Sequence, residues 1–452
     1  MKLIPNNKRV LFLAFNKAIV EELKIKVGNL NNVDIKTLHS LGASATMRAL
    51  NSQLQVDKYT AWVNNGVKYS LLTPKSELLP EQMSTWKQNI LKLIDLGRVN
   101  LVKAHKDLEE LAWKHNIDLE DNEVDIAIKG INWGENETQV IDFTDMIYFP
   151  NVKQIKMFQY DWVFIDECQD LNAAQRNLFL KCLKPNGRFV AVGDPRQAIY
   201  GFAGADVESF NLLKNIPHTV KLPLSVCYRC DVDIIGMAKE IVPQIEAREG
   251  APAGVVSRES VMADVKDGDM ILCRVSAPLV KLCMQYIGRG VKAYVKGRDI
   301  GTNLINMIKK TNRKQIKDVM ERLERELSRI IGKVVTKQGC TEAEAKEHEM
   351  YKNYEDKLKA IEVLSEGLTT SQEVIDRIEM IFSDDNKNGI CLSTIHKSKG
   401  LESDRVFIIC EDKLYLKYCM TVPWMAEQER NLVYVAFTRA KHFLGFIKDF
   451  SA

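Results

Sequence analysis

Asp166 and Glu167 are adjacent carboxylates that follow a short apolar run, residues 162–165 (WVFI). Such a run is typical of a parallel strand buried on both faces, and open α/β sheets bind their ligands at the carboxyl ends of these strands. One carboxylate can hold Mg²⁺ through water, while the next orients and deprotonates an attacking water. The two residues therefore favour hydrolysis of a phosphoanhydride, although an acidic loop that stands alone is more often simply solvated.

A second apolar run, residues 189–192 (FVAV), ends in a Gly-Asp dipeptide and leads into Gln197, Tyr200 and Phe202. A glutamine amide at this place can sense a terminal phosphate, and the aromatic faces can stack on nucleic-acid bases. The alternative is that the aromatic side chains are core residues and that Gln197 is a surface amide. The short distance in sequence from the acidic loop favours the first interpretation.

Two arginines lie far downstream, Arg229 directly after Tyr228 and Arg439 within the sequence TRAK. From a second domain, their guanidinium groups could face the acidic residues and neutralise charge as a γ-phosphate leaves. Each arginine alone is more often part of a surface salt bridge. In this order, behind these strands, the residues together predict a nucleotide-hydrolysing site.

The elements that must position these residues are short apolar runs, and such runs predict buried strands in both halves of the chain. They cover residues 8–15, 162–165, 189–192, 270–272, 406–410 and 431–437. Residues 18–27 then alternate at helical spacing, so a strand, a loop and a helix are expected at the start. Two α/β sheets, one in each half, are the simplest account.

Two stretches of different character interrupt these units. Residues 46–140 are mixed and contain helix-like segments such as 88–96. Residues 303–384 are highly charged, and their apolar residues recur at three- and four-residue spacing. This spacing predicts an amphipathic helix over 309–331 with an antiparallel partner over 341–364. A solvated helix face is the favoured interpretation of the charge, and contact with DNA is the alternative.

The composition limits the class of protein. The chain has 452 residues, of which 46% are hydrophobic and 27% charged, so a wholly disordered chain, a collagen-like polymer and a multispan membrane protein are excluded. The polar N-terminus does not predict a secretory signal, so the chain is expected to stay in the cytoplasm or nucleus where it acts. Because 63 Lys and Arg face 60 Asp and Glu, any polyanion must be held by a local basic groove.

The ten cysteines are scattered through the chain, as expected of free thiols in a reducing compartment. Cys227 and Cys230 have CxxC spacing. No second CxxC sequence and no nearby histidine complete a set of four zinc ligands, so no zinc site is predicted.

Taken together, these motifs resemble those of the UvrD/Rep-type superfamily 1 DNA helicases, and most of all the F-box DNA helicase branch. The matching segments run in the family order over nearly the whole chain. They are AFNKA at 14–18 (motif Ia), TLHS at 37–40 (motif Ib), Asp166 and Glu167 (motif II), Gln197, Tyr200 and Phe202 (motif III), Tyr228 and Arg229 (motif IV), Gly400 and Glu402 (motif V) and Arg439 (motif VI).

The resemblance implies an α/β fold with two RecA-like domains of the P-loop NTPase type. Each domain would contain a parallel sheet and be interrupted by a helical insertion. The expected parts are domain 1A at residues 1–45 and 141–215, insertion 1B at 46–140, domain 2A at 216–302 and 385–452, and insertion 2B at 303–384.

The resemblance also implies an ATP-dependent DNA helicase that moves 3′ to 5′ in replication, recombination or repair. Its cofactors would be ATP and Mg²⁺, and it would bind single-stranded DNA and single/double-strand junctions but no membrane. By likeness, Asp166 binds Mg²⁺, Glu167 activates water, and Gln197, Arg229 and Arg439 act at the γ-phosphate. Tyr228 packs near the adenine, Glu402 lies near the ribose, and Gly400 is a further nucleotide-binding residue. The DNA-contacting residues would be Phe15, Asn16, Lys17, Thr37, His39, Tyr200, Phe202 and His396.

One departure from the family pattern concerns the phosphate loop GxxxxGK[ST], which does not occur in this sequence. The backbone amides of such a loop cradle the phosphates, and its lysine reaches the β- and γ-phosphates. The dipeptide Gly332-Lys333 is followed by valine within the charged helical stretch, so it cannot substitute. Three explanations stay open: a fragment or misassigned start of a longer helicase, a separate polypeptide that supplies the loop, or a helicase-derived binding protein without ATPase activity. The intact motif residues favour the first two.

Overall fold

The computed structural model describes residues 4–14, 16–28, 30–78, 80–115, 117, 119, 121–199, 201, 209–382 and 388–449. The chain divides into two compact units, Met1–Lys221 and Leu222–Ala452. The boundaries expected above for the parts within each unit stay predictions.

In the first unit, strands of one sheet lie near the start and near the end of the sequence, and most of the helices lie between them. Its strands are β1 (Val10–Ala14), β2 (Val33–Thr37), β3 (Gln53–Leu54), β4 (Val140–Ile141), β5 (Tyr160–Ile165) and β6 (Leu183–Ala191). Its helices are α1 (Lys17–Val27), α2 (Leu38–Leu50), α3 (Lys58–Lys68), α4 (Pro80–Asn100), α5 (His105–Lys114), α6 (Glu123–Asn136), α7 (Phe143–Val152), α8 (Ala173–Lys181) and α9 (Ser209–Lys214).

Within the described residues, the main sheet of this unit has four parallel strands in the order β2-β1-β5-β6. Ala14 lies opposite Thr37, and Ile165 lies opposite both Leu13 and Ala191. Because all four strands end at the same edge, the loops that follow them meet there. This alignment is what positions the acidic loop and its neighbours.

The two faces of this sheet differ in burial. One face presents Leu11, Leu13, Val163 and Ile165 to a core that α2, α7 and α8 complete. The other face carries half-buried aromatic rings, among which Phe164 stacks on Phe12 and on Trp162 with centroid distances of 6.0 and 6.1 Å. The strands are thus held by packing on one face and by an aromatic row on the other.

The second unit contains a larger parallel sheet. The strands of this unit are β7 (Val226–Cys227), β8 (Glu246–Ala247), β9 (Val255–Ser260), β10 (Met270–Cys273), β11 (Ala293–Lys296), β12 (Ile390–Thr394), β13 (Ser403–Ile409) and β14 (Ala440–Ile447). Its helices are α10 (Val232–Lys239), α11 (Ala277–Gly288), α12 (Arg298–Lys310), α13 (Ile316–Gln338), α14 (Glu342–Ala345), α15 (Glu349–Ser365), α16 (Ser371–Ile381) and α17 (Pro423–Phe437). The described strands of the main sheet run in the order β11-β12-β10-β13-β14-β9, and all adjacent pairs are parallel.

The prediction of one parallel α/β sheet in each half is confirmed, and the molecule has the fold of two RecA-like domains. The predicted strands at 8–15, 162–165, 189–192, 270–272 and 406–410 overlap β1, β5, β6, β10 and β13, and the segment 88–96 lies within α4. The burial of these strands differs, because every residue of β10 is buried, β5 contains both buried and half-buried residues, and no residue of β6 is fully buried.

The predicted strand at 431–437 is wrong, because these residues form the last two turns of α17. The helix begins with Pro423 in its first turn, where the missing N–H of proline does no harm. Every residue from Asn431 to Phe437 is buried, so the polar face that would reveal helical periodicity is absent from this segment. A helix end buried all round has the same apolar pattern as a buried strand.

The predicted helix over 309–331 is only partly correct, because α12 ends at Lys310 and α13 begins at Ile316. The apolar stripe itself is confirmed: Val319, Leu323 and Ile330 of α13 are buried. The partner segment 341–364 is divided between α14 and α15, and α15 packs against α13. The break before α15 falls at His348, whose ring nitrogen Nδ1 accepts a hydrogen bond from the backbone N–H of Met350.

Within the described residues, every helix is too short or too polar to cross a bilayer.

Candidate nucleotide and DNA site

The acidic loop after β5 is held in a tight backbone conformation. Glu167 has φ +53°, in the left-handed region that non-glycine residues rarely adopt, and its N–H donates to Asp166 Oδ1 over 3.0 Å. The N–H of Asp166 donates to the carbonyl oxygen of Leu13 on β1 (3.1 Å), and that of Cys168 donates to Val192 (3.0 Å). The two carboxylates are therefore fixed at the carboxyl edge of the sheet, as the sequence predicts.

A chain of side-chain hydrogen bonds connects Glu167 to the loop after β6. Gln169 Nε2 donates to Glu167 Oε2 over 2.5 Å, and Gln169 Oε1 accepts the backbone N–H of Asp194 over 3.1 Å. Gln197 Nε2 then donates to Asp194 Oδ2 over 2.9 Å. Since Gln169 is only 2% exposed, its amide has little freedom to turn. The predicted base and the predicted phosphate sensor are thus connected through two intermediate residues, Gln169 and Asp194.

Sequence reasoning missed Gln169 and Asp194 as site residues, although both lie inside the motifs that it used. The signal was available at Gly193, where a Cβ atom would lie 2.4 Å from Gln169 Oε1 and 2.7 Å from Cys168 Sγ. A glycine that directly follows a buried strand indicates such a close approach. It predicts that the two loops touch, but it does not identify the side chain they share.

The pKa of Asp166 is raised, first by partial burial and then by the negative charge of Glu167. Oδ1 of Asp166 accepts a hydrogen bond from the N–H of Glu167, and Oδ2 accepts none from the described part of the chain. A carboxylate that is partly desolvated and close to a second negative charge gains from a divalent cation. The local chemistry therefore fits Mg²⁺ at Asp166, although the described residues contain no cluster of three or more His, Cys, Asp or Glu suited to a metal.

We expect Asp166→Asn to stabilise the protein at neutral pH. The pKa of Asp166 is higher in the folded than in the unfolded protein, so protonation of this carboxyl stabilises the fold. The stabilisation is complete below the unfolded pKa and is lost as the pH rises through the folded pKa. Removing the charge should raise the free energy of unfolding at pH 7 by up to about 1 kcal/mol, because Asp166 is only half-buried. The difference should vanish below a pH of about 4 in urea titrations.

Asp161→Asn is the matched control on the same strand. The hydrogen bond from Lys184 lowers the pKa of Asp161, so its ionised form is stabilising and the substitution should shift stability in the opposite direction. Loss of stability at neutral pH in both variants would contradict the explanation given for Asp166.

Predicted DNA-contacting residues lie at the same edge of the first sheet. Asn16 follows β1 and caps α1 by accepting the N–H of Ile19 (2.9 Å), with exposed Lys17 beside it. Thr37 ends β2 and caps α2, and His39 is exposed in the first turn of that helix. The structure thus places four of these residues after neighbouring strands, while Phe15, Tyr200 and Phe202 lie outside the described residues.

In the second unit, Arg229 and Glu402 form an ion pair. Arg229 Nε donates to Glu402 Oε2 over 2.7 Å, and Arg229 Nη1 donates to the carbonyl oxygen of Thr438 over 3.3 Å. Lys441 Nζ lies 3.0 Å from the other oxygen of Glu402. The hydrogen bond from Lys441, followed by the charge of Arg229, lowers the pKa of Glu402. Predicted residues of motifs IV, V and VI are therefore brought together, with Tyr228 78% exposed beside them.

The side chain of Arg439 is buried and only 1% exposed, whereas that of Arg229 is partly exposed. The guanidinium of Arg439 donates to the carbonyl oxygens of Val435 (3.0 Å) and Leu401 (2.9 Å) and to the hydroxyl of Thr438. Leu401 lies between the predicted nucleotide-binding residues Gly400 (φ +84°) and Glu402. Arg439 thus fixes the loop after β12 to the end of α17, a structural role that the sequence motif does not reveal.

His396 lies in the same loop and is half-buried beside a buried ion pair that the sequence did not suggest. Arg274 Nη2 donates to Glu429 Oε1 over 2.6 Å, and Glu429 is almost fully buried. Burial, together with the positive charges of Arg274 and Lys397, lowers the pKa of His396 well below its usual range. The imidazole of His396 is therefore neutral at physiological pH.

The fold and these motif residues define a RecA-like helicase class of protein. Comparison with known families agrees: residues 3–217 match the model for the UvrD/REP helicase N-terminal domain, and residues 389–447 match that for the UvrD-like helicase C-terminal domain. The chain belongs to the UvrD-like helicase family.

Three relatives illustrate the extent of similarity. F-box DNA helicase 1 of Gallus gallus is 22% identical over 96% of the chain and 44% of that protein. F-box DNA helicase protein 1 of Schizosaccharomyces pombe is 24% identical over 97% of the chain and 52% of that protein. ATP-dependent DNA helicase PcrA of Staphylococcus epidermidis is 25% identical over 36% of the chain and 24% of that protein. The chain spans about half the length of the F-box relatives that it matches.

Proposed function

We propose that this chain is the motor part of an ATP-dependent DNA helicase that translocates 3′ to 5′ on single-stranded DNA in replication, recombination or repair. Asp166 holds Mg²⁺, and Glu167 accepts a proton from the attacking water. Bound at Asp166, Mg²⁺ would neutralise charge on the phosphate oxygens. Arg229 and Arg439 stabilise the charge on the γ-phosphate, Tyr228 packs near the adenine, Glu402 lies near the ribose, and Gly400 is a further nucleotide-binding residue.

The observation that carries this proposal is the hydrogen-bond chain from Glu167 through Gln169 and Asp194 to Gln197. A general base must be held in a fixed orientation toward the attacking water. A side chain that contacts the γ-phosphate can influence that base only if hydrogen bonds connect the two. The buried amide of Gln169 supplies both, because it holds one oxygen of Glu167 and the backbone of the sensor loop. A solvated acidic loop without a catalytic role would not require this arrangement.

The ion pair between Arg229 and Glu402 suggests how a nucleotide changes the second unit. A phosphate competes with Glu402 for the guanidinium of Arg229, since both are anions that bind arginine. When the γ-phosphate is lost, Glu402 can take Arg229 back. The side chain of Arg229 would thus have two positions, one on the γ-phosphate and one on Glu402, and the bound nucleotide would select between them. Conformational coupling requires an element with two such states.

Single-stranded DNA is proposed to contact the edge that carries Asn16, Lys17, Thr37 and His39, together with His396. Phe15, Tyr200 and Phe202 are proposed to stack on bases; these three lie outside the described residues. A flat ring on a base contributes about 1–3 kcal/mol and tolerates any sequence, whereas the lysine contributes a salt-dependent phosphate contact. Binding should therefore weaken as salt is raised and show little preference for sequence.

The proposal is tested by assaying ATP hydrolysis with and without single-stranded DNA, and unwinding of duplexes with a 3′ or a 5′ tail. We expect hydrolysis that DNA stimulates and unwinding of the 3′-tailed substrate. Arg229→Ala should abolish both, whereas Arg258→Ala, which removes an exposed arginine paired with Glu411, should leave them intact. Unwinding of only the 5′-tailed duplex would overturn the polarity, and equal activity of both variants would overturn the role of Arg229.

A second candidate is a helicase-derived nucleic-acid-binding or scaffold subunit without its own ATPase activity. The observation that favours it is that GxxxxGK[ST] does not occur among the 452 residues. Binding of single-stranded DNA without binding of ATP would support this candidate. Hydrolysis that appears when a polypeptide containing a phosphate loop is added would instead support a motor completed in trans.

A further inference from the structure

Cys227 and Cys230 enclose the predicted nucleotide residues Tyr228 and Arg229 in a short turn. Cys227 ends β7, and its carbonyl oxygen accepts the N–H of Arg248 over 3.2 Å. Cys230 directly precedes Asp231, the residue before α10, whose N–H donates to the carbonyl oxygen of Lys441 over 2.9 Å. Both ends of the turn are therefore anchored to neighbouring backbone.

The two thiols differ in exposure and touch each other. Cys230 is 1% exposed, Cys227 is half-buried, and a hydrogen bond joins the two sulfur atoms. That hydrogen bond is the main cause that lowers the pKa of Cys227 to about 5, and the charge of Arg229 contributes further. The same bond raises the pKa of Cys230. At neutral pH the accessible sulfur is thus a thiolate and the buried sulfur a thiol.

We propose that Cys227 and Cys230 form a dithiol site that peroxides oxidise to a disulfide, with Cys227 as the attacking sulfur and Cys230 as the resolving sulfur. The geometry fits these roles, because an attacking sulfur must be reachable from solvent and a resolving sulfur must lie beside it. The hydrogen bond between the two sulfur atoms also gives the short separation from which a disulfide can form.

The reaction balances with a peroxide as oxidant. The Cys227 thiolate attacks one peroxide oxygen, the O–O bond breaks, and the products are Cys227 sulfenic acid and hydroxide. The Cys230 sulfur then attacks the Cys227 sulfur, the S–O bond breaks, and the departing hydroxide takes up the thiol proton of Cys230 as water. With hydrogen peroxide, one thiolate and one thiol are oxidised to the disulfide, one peroxide is reduced, and one hydroxide and one water form; the hydroxide takes a proton from the solvent.

The disulfide would restrict the turn that carries Arg229. Cys230 Sγ lies 3.7 Å from the carbonyl oxygen of Thr438, the same oxygen that accepts Nη1 of Arg229. Oxidation removes the S–H group and replaces the hydrogen bond between the two sulfur atoms by a shorter covalent bond. The turn that contains Tyr228 and Arg229 therefore has fewer accessible conformations. The thiol chemistry does not depend on the proposed function, but the consequence that Arg229 can no longer move from Glu402 to a phosphate rests on it.

Other cysteines of the chain serve as internal controls. Cys340 is also half-buried but has no cysteine within the same turn. Cys273 and Cys410 are joined by a hydrogen bond like that of the proposed site, yet both are buried. If accessibility and a neighbouring thiol are both required, the site at Cys227 should react before either of these.

The test treats the full 452-residue chain with hydrogen peroxide and maps its cysteines by mass spectrometry. We expect a Cys227–Cys230 disulfide that dithiothreitol reverses and that forms about tenfold faster than oxidation of Cys340. In Cys230→Ser, dimedone should trap a sulfenic acid at Cys227. Equal rates at Cys227 and Cys340, earlier oxidation of Cys273 and Cys410, or passage of Cys227 to sulfinic acid in the unmodified chain would overturn the proposal.

A second set of measurements tests whether the disulfide restricts the turn that carries Arg229, independently of whether the disulfide forms. Hydrogen exchange of the amides at 228–231 should slow in the oxidised chain, and exchange that is unchanged would overturn the proposed restriction of the turn. ATP with Mg²⁺ should bind about tenfold more weakly after oxidation. If ATP binds neither form, the proposed function fails while the peroxide result still decides the thiol site; if it binds both equally, the link to Arg229 is wrong.

Discussion

Replacing Glu167 with glutamine is expected to lower kcat for ATP hydrolysis about 10²- to 10⁴-fold while leaving nucleotide affinity nearly unchanged. Glutamine has the size of glutamate but cannot take a proton from water at neutral pH. Its side-chain oxygen can still accept the amide of Gln169, so the connection to Asp194 and Gln197 is preserved. The substitution therefore removes the base and keeps the loop.

The measurement is steady-state ATP hydrolysis with saturating single-stranded DNA, together with nucleotide binding by equilibrium dialysis. It requires a preparation that hydrolyses ATP, either this chain alone or the chain completed by a polypeptide that contains a phosphate loop. Glu22→Gln is the matched control, since Glu22 forms an exposed pair with Lys26 on α1 and should not affect kcat. A Glu167→Gln protein with unchanged kcat would refute the assignment of Glu167 as the base.

The strands that position Glu167 could be predicted from sequence because their environment is simple. The last four residues of β5 are apolar, and this run stops where the chain reaches the polar edge of the sheet, so the strand and its acidic loop are visible as four apolar residues followed by Asp166 and Glu167. The same reasoning failed at 431–437, where complete burial of a helix end produces the same pattern. Periodicity identifies an element only when one of its faces is polar.

The side-chain contacts of the site were less accessible to sequence reasoning. The motifs contained Gln169 and Arg439, but the burial of each depends on what packs around it. Gln169 becomes a connector because Gly193 lets the loop after β6 approach it. Arg439, proposed to act at the γ-phosphate, has its guanidinium hydrogen-bonded to Val435 and Leu401, contacts that the motif does not indicate. Such roles follow from the meeting of distant segments, which local sequence does not encode.

A buried ionic network holds together the helices inserted between β2 and β5. Lys58 Nζ lies 2.7 Å from Asp145 Oδ2, and Arg98 Nη1 lies 2.8 Å from Asp145 Oδ1. Arg98 also binds both oxygens of Asp142, at 2.8 and 2.9 Å. The side chains of Lys58 and Asp145 are completely buried, and that of Arg98 is 2% exposed. Asp145 is thus the acceptor that two buried cations share.

Asp145→Ala is expected to lower the free energy of unfolding of this helical region by roughly 3–5 kcal/mol, because the buried ammonium of Lys58 loses its carboxylate partner, whereas Arg98 keeps Asp142. Lys58→Met should cost less, since Asp145 keeps Arg98 as a partner. Glu110→Ala, which breaks an exposed pair with Lys106 on α5, should change stability by no more than about 0.5 kcal/mol. Hydrogen exchange of the amides in α4 and α7 under increasing urea reports on this region directly. If Asp145→Ala costs no more than Glu110→Ala, the network does not hold these helices together, and their apolar core carries the stability alone.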